Sequence, residues 1–193
     1  VILRVDGTRI AEGKDEPMEN LRARDVLIPL DKYPHLPYWF TLRQAMVEME
    51  NSQLEINGRI SLPRMILVFD EKYQLMGMAR RRDILRGLEP SFLRDKPVTY
   101  RKKLFDVQPD PNLSELSYES IMDAVVHMAD EVKISEVMLP IAGTVDINDH
   151  IVRIIYEMNK YNLSMLPVLN EGKVVGVVRS VDIFHEIAKK VIE

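Results

Sequence analysis

One feature constrains this chain more than any other: it contains the same segment order twice. Leu21–Leu30 aligns with Val132–Ile141, sharing apolar character at six positions and placing Pro29 and Pro140 in register. Met65–Glu71 then aligns with Met165–Glu171. After one extra residue in the first copy, Gly77–Ile84 matches Gly176–Ile183, with identities at Gly77/Gly176, Arg80/Arg179, Asp83/Asp182 and Ile84/Ile183. A repeat of this kind requires that both copies fold as the same supersecondary unit.

Each copy reads as β-α-β-β-α, an α/β (α+β) class unit. Leu42, Ala45, Met46 and Met49 recur at i, i+3, i+4, i+7, as do Ile151, Ile154, Ile155 and Met158, which is the apolar stripe of an amphipathic helix. Thr41 followed by Gln44 predicts a capping box for the first of these helices, and Asn148 or Asp149 a cap for the second. Two strands follow. In the second copy they are Met165–Leu169 and Val174–Arg179, joined by a turn whose Gly172 suits a hairpin. A closing helix starts near Asp83 or Asp182, and a short strand is expected around each proline-bearing opening segment.

The copies differ in length where loops belong. Met49 to Met65 spans 16 residues and Met158 to Met165 spans seven, so the first copy carries a nine-residue insertion, with Asn57-Gly58 as its turn signal. The domain reading is an N-terminal extension over 1–20, a first repeat over 21–104, a connector over 105–131 and a second repeat over 132–193. The connector region opens with Pro90, Pro97, Pro109 and Pro111, then reads as a helix from about Ser117 with Ile121, Val125 and Met128 on one face. Asp6-Gly7 in the extension is a weak hairpin signal with no function attached.

Composition removes several classes. There is no cysteine among the 193 residues, which excludes disulfides, thiol catalysis and cysteine-ligated zinc. Apolar runs such as Met65–Phe69 reach only five residues, far from the roughly 20 of a membrane span, and no signal-peptide pattern opens the chain, so no membrane partner and a cytoplasmic setting are expected. A net charge of −4 argues against a nucleic-acid partner. The charge is polarised: Arg80–Lys103 holds nine basic and three acidic residues, Leu104–Glu157 two basic and eleven acidic. That pattern suits steering of a small anion or self-association, and equally two solvated faces.

The repeat, Val137–Pro140, Leu166–Val168 and the Gly176-to-Ile183 spacing together resemble tandem cystathionine-β-synthase (CBS) domains. The second copy is the closer match; the first has Leu67 where the second has Pro167. The resemblance implies two repeats about a pseudo-two-fold axis and clefts that in many members hold adenine nucleotides or adenosyl compounds. It also implies a homodimer and an effector protein that reads the ligand. No cofactor is required; AMP, ADP, ATP or adenosyl-methionine would act as regulatory ligands.

The family motif Gly-h-h-Thr/Ser-x-x-Asp, in which h is apolar, maps its ribose-binding aspartate onto Asp83 and Asp182. An ionised carboxylate can accept from both hydroxyls of a diol, although an aspartate at a helix start is equally a cap. Arg80 and Arg179 stand where the motif has Thr/Ser, and Ser180 offers a hydroxyl one position late, pointing to the other face if the strand continues. A guanidinium can grip phosphate bidentately or pair with the neighbouring aspartate. Solvent-facing arginines favour anion binding; closed pairs with Asp83 and Asp182 favour a ligand-free scaffold. Apolar walls for an adenine ring are expected from Ile28, Met65 and Ile66 in the first copy and from Ile141, Leu166 and Val168 in the second. The aromatic run Tyr33–Phe40 reads as a loop packed over the core.

Catalytic readings find no support in the sequence. His35, His127, His150 and His185 lack metal-ligand spacing, so no metal site is expected, and no nucleophile elbow, phosphate loop or dinucleotide fingerprint occurs. The expectation is a non-catalytic sensor module, the alternative a ligand-free homodimerisation scaffold.

Overall fold

The computed structural model describes residues 20–56, 58–89 and 118–192. The N-terminal extension, the proline-rich start of the connector and Asn57 of the insertion lie outside them. The chain divides into two compact units: Pro34–Pro140, the first-copy unit, and Val1–Tyr33 with Ile141–Glu193, the second-copy unit.

The first-copy unit is built on a four-stranded sheet in the order β2 (His35–Pro37), β5 (Met65–Phe69), β6 (Leu75–Arg80), β7 (Leu139–Pro140), with β2 parallel to β5 and the other pairs antiparallel. Helices α1 (Leu42–Asn51), α2 (Arg81–Gly87) and α3 (Tyr118–Glu131) belong to the same unit. Leu42, Ala45 and Met49 of the predicted stripe join Ile66, Val68 and Ile84 in its core; Met46 stays 39% exposed. Thr41 caps α1 as expected: its hydroxyl accepts from the Gln44 N–H, and the Gln44 side chain accepts from the Thr41 N–H at 2.9 Å. The insertion is a two-stranded hairpin, β3 (Leu54–Ile56) and β4 (Arg59–Ser61), with Gly58 at φ +74° in its turn. Leu54 is 2% exposed and anchors it. The connector helix is described over Tyr118–Glu131, the expected start near Ser117 lies outside the described residues, and Val125 packs on the core.

The second-copy unit repeats the plan. Its sheet runs β1 (Ile28–Pro29), β10 (Lys173–Arg179), β9 (Met165–Asn170), β8 (Val145–Asp146), with β8 parallel to β9. Ile151, Ile154 and Met158 of α4 (Ile151–Lys160) and Ile183 of α5 (Ser180–Ile192) pack with Leu166, Val168 and Val178. The turn between β9 and β10 is the two-residue type expected for a hairpin, with positive φ at both Glu171 (50°) and Gly172 (76°). The cap of α4 departs from the sequence reading. His150 is the capping residue, its Nδ1 accepting from the Val152 N–H at 3.3 Å. Asn148 and Asp149 serve the preceding turn instead: Asp149 accepts from the Asp146 N–H at 2.8 Å, and the Asn148 carbonyl accepts from Arg22 at 2.6 Å.

The opening strands form as expected but are exchanged. β1, at the start of the first copy, pairs with β10 of the second (Ile28 with Val177, Pro29 with Gly176), and β7, at the start of the second, pairs with β6 of the first (Leu139 with Met78, Pro140 with Gly77). Both are edge strands, where a proline lacking its N–H is tolerated. The paired glycines now have a reason. A Cβ on Gly176 would lie 2.1 Å from the Ile28 carbonyl oxygen, and one on Gly77 2.6 Å from that of Leu139. Two further strands, β2 and β8, were absent from the sequence reading, and the aromatic run contains a strand where a loop was expected.

Candidate functional site

In each unit the last residue of the hairpin's second strand is an arginine, and the aspartate three residues on lies in the first turn of the helix that follows. In the first-copy unit Arg80 donates to Asp83 through Nε (2.7 Å to Oδ2) and Nη2 (2.9 Å to Oδ1), and the Arg80 backbone N–H adds a third bond to Oδ2 at 3.0 Å. In the second-copy unit Arg179 donates to Asp182 through Nε (2.7 Å) and Nη2 (2.8 Å). Both pairs are bidentate forks, the geometry in which guanidinium and carboxylate match best.

The two aspartates are thus engaged within their own units. Asp83 is both cap and ion-pair partner, the capping role the sequence reading weighed against ribose binding. Burial pushes its carboxyl up, but the hydrogen bonds from Arg80 and the charges of Arg80 and Arg86 outweigh it, and the net shift is downward. Arg80 is held further toward its charged form by the same bond. Both arginines are closed on their aspartates, the second of the two arrangements set out from sequence. Among the described residues no buried side-chain nitrogen or oxygen lacks a partner.

The remaining residues separate by sheet face. Alternation along β5 and β9 turns Ile66, Val68, Leu166 and Val168 toward the helices, and Ile66, Leu166 and Val168 are fully buried in those cores. The sequence reading had offered these three as ring walls; the structure uses them as core. Met65, also 93% buried, takes the alternate face of β5 by the same pleat. Ile28 was grouped with Met65 and Ile66; the strand exchange puts it instead opposite Val177, in the unit of Arg179 and Asp182. Ile141 follows β7 and is half-buried in the second-copy unit. Ser180 is exposed and opens α5, because β10 ends at Arg179; the strand does not continue through it.

Sequence reasoning missed one member. Tyr33, 3% exposed, ends the short 3-10 turn Leu30–Lys32, which packs on β10. Burial raises its ionisation well above the ordinary tyrosine range, with Arg179 lowering it and Asp182 raising it. Its place in an aromatic run pointed to packing; the exchange of β1 puts it in the same unit as Arg179. The histidines are dispersed into separate roles: His35 Nε2 lies 2.6 Å from the Tyr73 hydroxyl, His127 sits beside Glu131 at 3.2 Å, and His150 caps α4. Among the described residues no group of three His, Asp or Glu side chains is set to hold a metal ion, and no helix is long and apolar enough to cross a membrane.

Residues 134–189 match the family profile of the CBS domain. Solved structures of the same fold include the CBS domain of a CBS domain-containing membrane protein from Sphaerobacter thermophilus (TM-score 0.61, 20% identity, 87% of this chain and 88% of that one). The CBS-pair protein CBSX2 from Arabidopsis thaliana is another (TM-score 0.58, 11% identity, 90% and 99%). The cytosolic domain of the Mg2+ channel MgtE, in complex with ATP, also shares it (TM-score 0.54, 17% identity, 86% of this chain and 49% of that one). No curated protein matches the chain in sequence.

Proposed function

We propose that this chain, a tandem CBS-domain pair, is a non-catalytic regulatory module whose ligand is an adenine nucleotide, engaged at Asp83 or Asp182 and read by an effector protein. The observation that carries the reading is the recurrence of one Arg–Asp constellation at the same place in both units, where the family motif has its ribose-binding aspartate. The arginines narrow the ligand class. A diol can reach either carboxylate only if the guanidinium leaves it, and a phosphate is a better partner for a departing arginine than water is. Phosphate-bearing AMP, ADP and ATP therefore suit the site better than adenosyl-methionine. The absence of cysteine fits a reducing, cytoplasmic setting.

The test is thermal unfolding of the chain with AMP, ADP, ATP, adenosyl-methionine and GTP. A ligand at 100 times its Kd adds about 2.7 kcal/mol, which is roughly 5–10 °C for a chain of this size. Stabilisation by adenine nucleotides alone, reduced about tenfold in apparent affinity by Asp83→Ala or Asp182→Ala, supports the proposal.

A second reading has its own observation. Both carboxylates are already satisfied, which is what a ligand-free homodimerisation scaffold would show. Equivalent positions of the two copies also expose apolar side chains: Val47 (54%) and Tyr156 (62%) on the first helices, Leu85 (63%) and Phe184 (72%) on the second. The double variant Arg80→Thr/Arg179→Thr, which restores the motif hydroxyl, separates the readings. Nucleotide stabilisation that appears only in the variant marks arginines that gate the site; none in either protein, with a dimer by sedimentation, marks a scaffold.

A further inference from the structure

The two Arg–Asp pairs are alike, but the residues around them are not. One backbone bond marks the strand-to-helix junction in each unit: the Arg81 N–H donates to the Arg64 carbonyl at 3.3 Å, and the Ser180 N–H to the Ser164 carbonyl at 2.9 Å. The two junctions therefore superpose residue by residue. Around Arg80 stand Arg64, Arg81, Arg82 and Arg86; the matching positions around Arg179 hold Ser164, Ser180, Val181 and His185. All four added arginines are exposed. The backbone gathers them: Arg64 precedes Met65, the cross-strand partner of Arg80, and Arg81 and Arg82 follow Arg80 directly. Arg86 lies one helical turn beyond Arg82 on the same stripe of α2.

This charge works against the fold. Like charges at i and i+4, as at Arg82 and Arg86, oppose a helix. Arg81 meets Glu50 only at 3.9 Å, with the side chains 43% and 73% exposed, a contact of little worth. The pairs also differ in enclosure. Arg80 is 28% exposed over an Asp83 that is 4% exposed, whereas Arg179 is itself enclosed at 11%.

Resting on the nucleotide reading above, we infer that the two sites have diverged in ligand class: the first-copy site takes a nucleotide polyphosphate, its phosphate chain held by Arg80 and the arginines of α2, and the second-copy site does not. The argument turns on what replaces a broken pair. A guanidinium that leaves its aspartate needs another anion, and one phosphate satisfies only one or two such forks. Five arginines at one junction suit a chain of phosphates. Arg80, the outer partner, can turn toward that chain while its neighbours add attraction. At the second junction the chain would meet an enclosed Arg179, with two serines and a valine where the first junction has arginines.

Isothermal titration of the full chain with ATP, AMP and inorganic tripolyphosphate tests this. The wild type is expected to bind one equivalent of ATP, at least tenfold more tightly than AMP. Arg82→Gln/Arg86→Gln, which leaves the Arg80–Asp83 fork in place, is expected to bind ATP no more than about threefold more tightly than AMP. Equal affinities in the wild type, two ATP equivalents of like affinity, or an ATP preference unchanged in the variant would overturn the divergence and leave the nucleotide reading standing. Tripolyphosphate bound as tightly as ATP, or no binding of any of the three, would overturn the nucleotide reading and this inference with it. Should the variant not fold by circular dichroism, the ratio and stoichiometry of the wild type decide alone.

Discussion

Replacing Gly176 by alanine should unfasten the exchanged strand β1, and the structure says by how much. Glycine in a strand interior is ordinarily a weakness, and alanine at a compatible position stabilises by about 0.4–1 kcal/mol. Here the new Cβ would lie 2.1 Å from the Ile28 carbonyl oxygen, 2.8 Å from a Leu27 methyl and 3.0 Å from the Ile28 carbonyl carbon. The nearest obstacle is backbone, so it cannot rotate away. β1 must retreat by about 1 Å, which lengthens ladder hydrogen bonds from about 2.9 to about 3.9 Å, outside bonding range. One or two such bonds are worth about 0.5–1.5 kcal/mol each. Ile28, 4% exposed, then loses much of a burial worth about 1.5–3 kcal/mol. The sum is a destabilisation of about 2–5 kcal/mol, a large fraction of the 5–15 kcal/mol typical of a folded domain. Urea denaturation followed by far-UV circular dichroism measures it, with Gly172→Ala as control. Gly172 has open space and a φ of +76°, so alanine there meets only the left-handed backbone cost of about 1–2 kcal/mol. Gly77→Ala, at 2.6 Å from the Leu139 oxygen, should fall between the two. A Gly176→Ala protein within 0.5 kcal/mol of wild type, or less affected than Gly172→Ala, would refute the close-approach argument.

Other consequences can be tested alongside. Asp83→Asn strands the Arg80 guanidinium and should cost about 2 kcal/mol at pH 7, discounted for the arginine's partial exposure. Because the folded carboxyl is held below its unfolded value, that contribution is fully present above about pH 4 and fades as pH falls through the folded value; urea curves of wild type and variant should converge at low pH. Thr41→Ala removes the hydroxyl acceptor of the α1 cap and should cost about 1 kcal/mol, with non-additive coupling to Gln44→Ala in a double-mutant cycle. The second repeat expressed alone as 132–193 lacks β1 and the buried Ala23 and Val26, and its amide spectrum should be that of an unfolded chain. Joining 141–193 through a flexible linker to 20–33 restores those parts and should give a dispersed spectrum.

Much of the fold is legible because it is local. The stripes of α1 and α4, the Thr41–Gln44 box and the β9–β10 turn each depend on residues within one or two turns of one another, so spacing alone reveals them. β2 and β8 escaped notice because strands of two or three residues have too few positions to alternate. The cap of α4 was misplaced for a different reason: Asn148 and Asp149 are good capping residues, but the turn after β8 consumes their hydrogen-bonding groups. The exchange of β1 and β7 is invisible to any local reading. Pairing Pro29 with Gly176 spans most of the chain, and only the glycine that the close approach demands leaves a mark in the sequence.

The candidate site divides along the same line. Arg80, Asp83, Arg179 and Asp182 are legible as residues because the repeat superposes them, yet their state is not, since an arginine three positions before an aspartate can face solvent or fold back. Folding back is decided by the break between strand and helix. The chain leaves the sheet at Arg80 or Arg179 and turns into a helix whose third residue is the aspartate, which brings guanidinium and carboxylate onto one side of the turn. Once there, each pair closes an ion pair, and Asp83 also caps its helix, so opening a pair for a ligand costs the ion pair and, at Asp83, the cap as well. A nucleotide that binds must therefore compensate an intramolecular fork with its own phosphate and diol. Affinity should then depend on phosphate more steeply than in a site carrying a hydroxyl at the arginine's position, and the Arg80→Thr/Arg179→Thr variant should lose that dependence as it gains affinity for phosphate-free adenosyl ligands.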